Sequence, residues 1–326
     1  MPSSANIEFA KEADLSTASF SDATKALLEC CTLCPRACGA NRVAGQRGVC
    51  GAADELRIAR AALHFWEEPP ISGESGSGAV FFSNCPLHCV YCQNEAIANG
   101  SCGFDVSVRR LAQIFLELQK QGALNVNLVT PTHYVPQILE AAKLARDAGL
   151  ALPFVYNTSG YEKPETIGLL NGIVDTYLVD FRYIDAQTAR NYSNAATYPE
   201  FAMAALDAMV KQGANVIVRV LLLPSHLEET KRIVRYVHET YANEEARGQL
   251  KLSLMSQYTP MGKFPRYPEL ERRVSAAEFE GLLDYADDLG CDDYFWQEGG
   301  AAEESFIPDF ASYEGVAGPE LSCGAE

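Results

Sequence analysis

Three cysteines at close spacing constrain this chain more than any other feature. Cys85, Cys89 and Cys92 form a C-x3-C-x2-C run directly after the apolar stretch 79–83. A fully protein-ligated [4Fe–4S] cluster takes four cysteines, so three thiolates on one loop predict a cluster with one iron open. An open coordination position is typical of a catalytic rather than a structural metal. The alternative is a structural zinc loop, which usually shows two C-x2-C pairs.

Composition and charge narrow the class of protein. The chain has 326 residues, of which 48% are hydrophobic, enough for one large α/β domain with appendages. Its net charge of −17 disfavours nucleic acid and anionic membrane surfaces as partners. No apolar run approaches a membrane span, and the first thirty residues lack the apolar region of a signal peptide. We therefore expect a cytoplasmic protein in which the clustered members of its eleven cysteines bind metals rather than form disulfides.

Strand and helix patterns alternate along most of the chain. The strand candidates read as nearly continuous apolar runs, as strands covered on both faces do, and six strand–helix units predict a parallel barrel or open barrel of the α/β class. Its site is expected at the carboxyl ends of the strands. The strand candidates are 79–83, 124–130, 152–157, 174–180, 216–223 and 252–256. The predicted divisions are a poorly ordered terminus (1–24), a Cys-rich metal-binding module (25–60), a connecting segment (61–78), the barrel (79–300), and an extension and tail (301–326).

Polar residues follow five of these strands. A Thr or Asn at a strand end is usually turn or helix-cap chemistry, but five such ends in the order of one barrel favour a binding site. Arg219 lies inside an apolar strand, where a charge needs a partner. A buried salt bridge to Asp180 and a contact with a ligand are both open for this arginine.

A second group of cysteines precedes the barrel. Cys31, Cys34, Cys38 and Cys50 lie within twenty residues, which predicts a second metal centre without deciding between [4Fe–4S] and zinc. Iron–sulfur is favoured because the centre on the other loop is iron–sulfur. Three arginines are placed to offset the negative charge of bound thiolates: Arg36, Arg42 and Arg47.

The cysteine run, with Tyr91 before its last cysteine, resembles the cluster loop of radical S-adenosylmethionine (SAM) enzymes. Gln93-Asn94 and the segments 67–73 and 76–78 are similar to those of pyruvate formate-lyase activating enzyme-like proteins in that superfamily. The resemblance implies a partial (β/α)6 barrel, consistent with the six strand–helix units. It also implies a [4Fe–4S] cluster that binds SAM at its open iron and cleaves it reductively to a 5′-deoxyadenosyl radical. That radical abstracts a hydrogen atom, in an activase from a glycine of a glycyl radical enzyme. A one-electron donor such as flavodoxin or ferredoxin is then a partner.

The resemblance also implies site residues. Cys85, Cys89 and Cys92 would ligate the catalytic cluster. The common run of two glycines and a glutamate after the second strand is absent, and Asn157 and Arg182 replace the acid and the lysine of activases. A radical SAM enzyme with another peptide or small-molecule substrate and a non-catalytic iron–sulfur or zinc protein are the alternatives. The predicted cofactor-binding residues are Tyr91, Thr130, Thr132, Asn157, Ser159, Asp180, Arg182, Arg219 and Gln257.

Overall fold

The computed structural model describes residues 22–242, 249–292, 294–296, 308–310, 312 and 314–316. Most of the predicted poorly ordered terminus (1–24) and of the predicted extension and tail (301–326) lies outside the described residues. None of the described helices has the length and apolar character needed to cross a membrane. The strands are β1 (Leu56–His64), β2 (Ser77–Phe82), β3 (Phe104–Val106), β4 (Val126–Val129), β5 (Phe154–Thr158), β6 (Thr176–Asp180), β7 (Asn215–Leu221), β8 (Leu250–Met255) and β9 (Tyr294–Trp296).

Helices connect the strands, and their ends carry the expected signals. Ser107 accepts a hydrogen bond from the backbone of Arg110 at the start of the helix Val108–Lys120, and Ser275 and Glu278 form a capping box at the start of the helix Ala276–Asp288, an arrangement that pairs backbone N–H groups left free at a helix start. Two short 3-10 helices span Thr132–Tyr134 and Pro268–Glu271. The α-helices are α1 (Asp22–Glu29), α2 (Pro69–Ser72), α3 (Glu95–Ala98), α4 (Val108–Lys120), α5 (Val135–Asp147), α6 (Pro164–Leu169), α7 (Ala186–Ser193), α8 (Tyr198–Lys211), α9 (Leu227–Thr240) and α10 (Ala276–Asp288).

The strands form one sheet in the order β3-β1-β2-β4-β5-β6-β7-β8-β9. β2 and β4 to β9 are parallel, whereas β1 runs antiparallel to both β2 and β3. Over the residues that the structure describes, the sheet has two edges and does not close, so its parallel part is an open barrel wall. This confirms the α/β fold, and all six predicted strands are present. The seventh parallel strand, β9, and the antiparallel strands β1 and β3 were not predicted.

Alternate residues of the parallel strands face the inside of the barrel, as the two-residue period of a strand requires. The segment 67–73, called here the plug segment, enters this interior from the connection between β1 and β2. The amide of Asn125 donates to the carbonyl of Ile71 across 2.7 Å. The Ile71 side chain fills an apolar layer with three inward-facing residues, Val155, Leu178 and Ile217. The plug segment therefore forms part of the barrel core.

The segment from Cys30 to Glu55, called here the cysteine module, contains no helix or strand. It packs against the first turns of the helices that follow β5 and β4: Thr166 Oγ1 of α6 donates to the carbonyl of Leu33 at 2.6 Å, and Gln137 Nε2 of α5 donates to the carbonyl of Asp54 at 3.0 Å. β1 begins inside the segment predicted as the Cys-rich module. The cysteine module consequently covers the same end of the barrel at which a site is expected.

Candidate active site at the carboxyl ends of the strands

A cavity of about 320 Å³ lies at the carboxyl ends of the parallel strands, a volume typical of small-molecule sites. Cys85, Cys89 and Cys92 all line it. Thr132 is the one predicted cofactor-binding residue that does not. The eight that do are Tyr91, Thr130, Asn157, Ser159, Asp180, Arg182, Arg219 and Gln257.

The cysteine run leaves β2 through Asn84, whose φ of 73° starts the loop. Ser193 Oγ donates to the Cys89 sulfur at 3.2 Å. Burial, followed by the charge of neighbouring Cys89, raises the pKa of Cys85 to about 11 and that of Cys92 to about 12. Both cysteines are therefore protonated at neutral pH unless a cation stabilises the thiolates, and metal ions supply such a cation.

Within the described ranges, no three side chains of His, Cys, Asp or Glu stand close enough together to surround a single metal ion. A cluster differs from a single ion because each of its cysteines binds a different iron. The cysteine run therefore has the donor set of an iron–sulfur cluster.

Arg36 of the cysteine module holds the cluster loop in place. Its Nε donates to the carbonyl of Pro86 at 2.9 Å, and its Nη2 donates to the carbonyls of Leu87 and Ser193 at 3.2 and 2.8 Å. His88 Nε2 lies 2.9 Å from the carbonyl of Val49. Arg36 therefore positions backbone carbonyls, a role different from the charge compensation expected for it.

Opposite the cysteines, a layer of charged and amide side chains crosses the barrel, with Arg219 at its centre. Arg219 Nε donates to Asp180 Oδ1 at 2.7 Å, and its Nη2 donates to Asn157 Oδ1 at 2.7 Å. Its Nη1 donates to Glu67 Oε2 at 3.0 Å. Arg182 Nη2 donates to the other oxygen of Asp180 at 2.6 Å. The salt bridge to Asp180 considered for Arg219 is thus present, and the same side chain also lines the cavity.

The carboxylates of this layer differ in their electrostatics. Burial opposes the ionisation of Asp180, but the guanidinium groups of Arg219 and Arg182 outweigh it and lower the pKa of that carboxyl. For Glu67 and Glu68 burial dominates over the charge of Arg219, and the pKa of both is raised. The layer therefore combines a firmly ionised carboxylate with two that are costly to ionise.

Thr130 and Thr132, which follow β4, differ in backbone conformation and in surroundings. Thr130 has a φ of 58°, a left-handed conformation that is unusual for a β-branched residue and is found mainly where function requires it. Thr132 is buried, and its hydroxyl donates to Glu162 Oε1 at 2.6 Å. Glu162 also accepts from Thr158, and burial raises its pKa to about 7. The structure thus places Thr132 in a buried network behind the cavity.

The aromatic residue of the cysteine run lies in a cluster of tyrosines. The Tyr91 hydroxyl accepts from that of Tyr183 at 2.8 Å, and its ring makes edge contacts with three rings, Tyr183, Tyr192 and Tyr258. Tyr91 is therefore surrounded mostly by tyrosine rings that pack against it. On the facing side of the cavity, the carbonyl of Gln257 accepts from Gln93 Nε2 at 3.1 Å.

The four cysteines of the cysteine module lie close enough to influence one another. Cys31 and Cys50 both raise the pKa of Cys34, after burial, to about 12. A Cβ added to Gly48 would lie 3.2 Å from the Cys38 sulfur and 3.4 Å from the Cys50 sulfur. The chain therefore brings these thiols into one neighbourhood, although no three of them surround a single point in the described structure.

Arg42 is buried against this group of thiols. Its Nη1 lies 3.9 Å from the Cys31 sulfur and donates to the carbonyl of His133 at 2.5 Å. Its Nη2 is buried without a hydrogen bond in the described part of the chain. A buried guanidinium needs negative charge nearby, and metal-bound thiolates would supply it. Arg47, by contrast, donates to the carbonyl of Gly51 at the surface.

Glu67 and Glu68 are the site residues that sequence reasoning missed. The resemblance drew attention to the plug segment, but neither glutamate was assigned a role. Glu67 reaches three strands through Asn127, Asn157 and Arg219. A pair of acids beside two prolines, Pro69 and Pro70, carries no local signal for a place inside a barrel. The only available signal was the position of the pair between two strands that become neighbours.

Comparison with known proteins adds a relative and several structural likenesses. An uncharacterized protein of Methanocaldococcus jannaschii, MJ0674, is 28% identical over 280 residues, which cover 82% of this chain and 77% of that protein. SuiB of Streptococcus suis is 15% identical with a TM-score of 0.48; the match covers 67% of this chain and 48% of SuiB, so the chain spans about half of it. Methylornithine synthase (PylB) is 15% identical with a TM-score of 0.44 over 62% of this chain and 58% of that one.

These structural likenesses are too low to carry an argument about substrate or partner. The sequence model of the radical SAM superfamily matches residues 79–237, just under half of the chain. The matched range runs from β2 through the cysteine run and the strands that carry Asn157, Asp180 and Arg219, and ends within α9. The chain therefore contains a radical SAM domain at residues 79–237.

Proposed function

We propose that the protein binds a [4Fe–4S] cluster at Cys85, Cys89 and Cys92, cleaves SAM reductively, and uses the 5′-deoxyadenosyl radical to abstract a hydrogen atom from a substrate. One observation carries the proposal: three cysteines and a buried layer of paired charges line the same cavity. The thiols fit the cluster because they are partly buried, repel one another when ionised, and have no fourth cysteine on their loop. When bound, the cluster and SAM supply the one-electron chemistry.

The chain's own residues bind and orient the cofactor. Arg182 lies between Asp180 and Cys89, whose negative charges both raise its pKa, so its guanidinium can meet an anionic group at the edge of the cluster loop. The SAM carboxylate is such a group, and arginine binds carboxylates well. Asn157 and Ser159 line the next part of the cavity and offer neutral hydrogen-bonding groups to the ribose and adenine. The packed tyrosines around Tyr91 exclude water from the cysteines.

The test of this function is SAM cleavage by the anaerobically reconstituted protein with dithionite or a flavodoxin as reductant. We expect 5′-deoxyadenosine and methionine in equal amounts. Protein that carries a full cluster yet gives no 5′-deoxyadenosine would contradict the enzyme assignment and favour a non-catalytic iron–sulfur protein.

The finer proposal is that the hydrogen donor is a glycine of a glycyl radical enzyme. Its support is the resemblance of the cysteine loop and of the segments 157–160 and 180–182 to activases, whereas Asn157 and Arg182 themselves depart from the activase pattern and count against it. Reduced, SAM-loaded protein is incubated with glycyl radical enzymes of the same organism and examined by electron paramagnetic resonance. A glycyl doublet supports the activase role. If no doublet forms while 5′-deoxyadenosine accumulates with a peptide or small molecule, a radical SAM enzyme that acts on such a substrate replaces the activase role. The buried acids of the cavity favour this second candidate function.

We further propose a second metal centre at Cys31, Cys34, Cys38 and Cys50, supported by their proximity and by the buried Arg42. A variant with alanine at all three positions 85, 89 and 92, prepared anaerobically, is expected to retain about four irons or about one zinc per chain. Metal analysis with an absorbance spectrum distinguishes the two metals. A folded but metal-free variant would rule this centre out.

A further inference from the structure

The acid pair of the plug segment has one oxygen that the described protein leaves unused. Glu68 Oε1 accepts from Ser253 Oγ at 3.1 Å. Glu68 Oε2 is buried and makes no hydrogen bond within the described ranges; the nearest cationic atom is Arg219 Nη1, 3.9 Å away. The side chain is only 6% exposed and lines the cavity. A buried carboxylate oxygen without a partner is costly, so this oxygen points to a ligand.

The charged side chains around the cavity also point to a ligand, because negative charges outnumber positive ones. Asp180, Glu67 and Glu68 can each carry a negative charge, whereas Arg182 and Arg219 carry the two positive charges of the layer. Burial opposes the ionisation of Glu67 and Glu68, and when both are ionised together with Asp180 one negative charge is in excess. His64, which also lines the cavity, does not correct this, since burial, Arg60 and Arg219 lower its pKa to about 4. A cationic group in the cavity would complete the balance.

The side chains of Glu68 and Ser253 form one corner of the cavity, called here the Glu68–Ser253 corner. Their free oxygen lone pairs favour a ligand group that donates hydrogen bonds. Ser253 Oγ gives its proton to Glu68, so its lone pairs remain to accept, and Glu68 Oε2 can only accept when ionised. A primary ammonium has three donors and no acceptor. It matches a corner made of two acceptors and one excess negative charge.

We propose that the Glu68–Ser253 corner binds the primary ammonium group of the hydrogen-donating substrate. The assignment to a substrate rests on the proposed radical SAM chemistry, whereas the ammonium site itself does not. Glu67 keeps Arg219 directed towards Asp180 and Asn157, which leaves Glu68 for the ligand. The ammonium source is either a small amine or a lysine side chain of a peptide.

The experiment is a calorimetric titration of the SAM-loaded, cluster-containing protein at pH 7.5. The probes are n-butylammonium chloride, its neutral analogue n-butanol, and the blocked peptide acetyl-Gly-Lys-Gly-amide. We expect n-butylammonium to bind with a dissociation constant on the order of 1 mM, as suits so small a ligand, and n-butanol to bind at least about tenfold more weakly. Tighter binding of the peptide than of the free amine identifies a peptide source; the reverse order identifies a small amine.

Glu68→Gln should remove this preference for the charged probe, and Ser253→Ala should weaken it while leaving Glu68 in place. Glu74→Gln, a change at an exposed glutamate just beyond the plug segment, should leave it unchanged. Equal binding of amine and alcohol to the unaltered protein would overturn the proposal. Binding of n-butylammonium to the SAM-free protein that is lost once SAM is added would also overturn it, by assigning the corner to the cofactor. Neither result depends on SAM cleavage, so the ammonium site and the proposed function are tested independently of each other.

Discussion

Replacing Cys85 by alanine is expected to reduce SAM cleavage at least about 100-fold, because loss of even an outer-shell partner of a metal ligand costs 10–100-fold. Cys89→Ala and Cys92→Ala should have the same effect, since each removes one of three thiolates on a loop that has no spare cysteine. The measurement is 5′-deoxyadenosine formed per chain under reducing, anaerobic conditions, with iron content determined on the same samples.

Cys102→Ala is the matched control for these three variants. Cys102 lies soon after the same loop and packs partly buried beside the cluster of Ala79, Phe81 and Ile97. We expect it to retain iron and SAM cleavage close to the unaltered protein. Wild-type-like turnover in Cys85→Ala would contradict the ligand assignment, and equal losses in Cys102→Ala would indicate a general effect on the fold.

Arg219→Met is expected to destabilise the fold by about 3–5 kcal/mol, the usual cost of removing one partner of a buried ion pair. Methionine retains the apolar stem but leaves Asp180 and Glu67 buried without their shared cation. The measurement is the free energy of unfolding in urea. At a SAM concentration that saturates the unaltered protein, the variant should also bind less SAM, while the absorbance of its cluster remains unchanged.

The pH dependence of this loss has a definite sign. Without Arg219 the folded-state pKa values of Glu67 and Glu68, which burial already raises, rise further, and the pKa of Asp180 is lowered less strongly. Protons then bind the folded variant more tightly than the folded unaltered protein. The difference in the free energy of unfolding between the two proteins should therefore shrink as the pH falls from 8 to about 5. Arg57→Met is the control, because the Arg57–Asp105 pair is 30% and 57% exposed and is worth at most about 1 kcal/mol. A deficit for Arg219→Met no larger than for this control would exclude a central role in the charged layer.

Much of the barrel was predictable because its signals are local. Apolar runs marked the six predicted parallel strands, and features such as Ser275 and Glu278 marked helix starts. The β1 strand was missed because Arg57 and Arg60 interrupt its apolar pattern, which is acceptable in a strand with one partly solvated face. The three-residue strands β3 and β9 are too short to show a period.

The candidate site was predictable only where it follows strand ends in sequence. That rule found Asn157, Asp180 and Arg182, all of which line the cavity. It failed at Thr132 because a 3-10 helix begins there and turns the side chain towards Glu162. It could not find Glu68, whose partner Ser253 is 185 residues away, because no pattern within a short window records so distant a contact.

The plug segment also ties the start of the barrel to its end. Glu67 meets Arg219 across 152 residues and Glu68 meets Ser253 across 185 residues. During synthesis the two glutamates emerge long before either partner exists, so they stay hydrated until β7 and β8 have been made and have docked. Closing such long loops is entropically costly and slows folding. Dehydration of the acid pair thus belongs to the last stage of assembly, and a nascent chain that lacks β8 holds an unfinished, water-filled barrel.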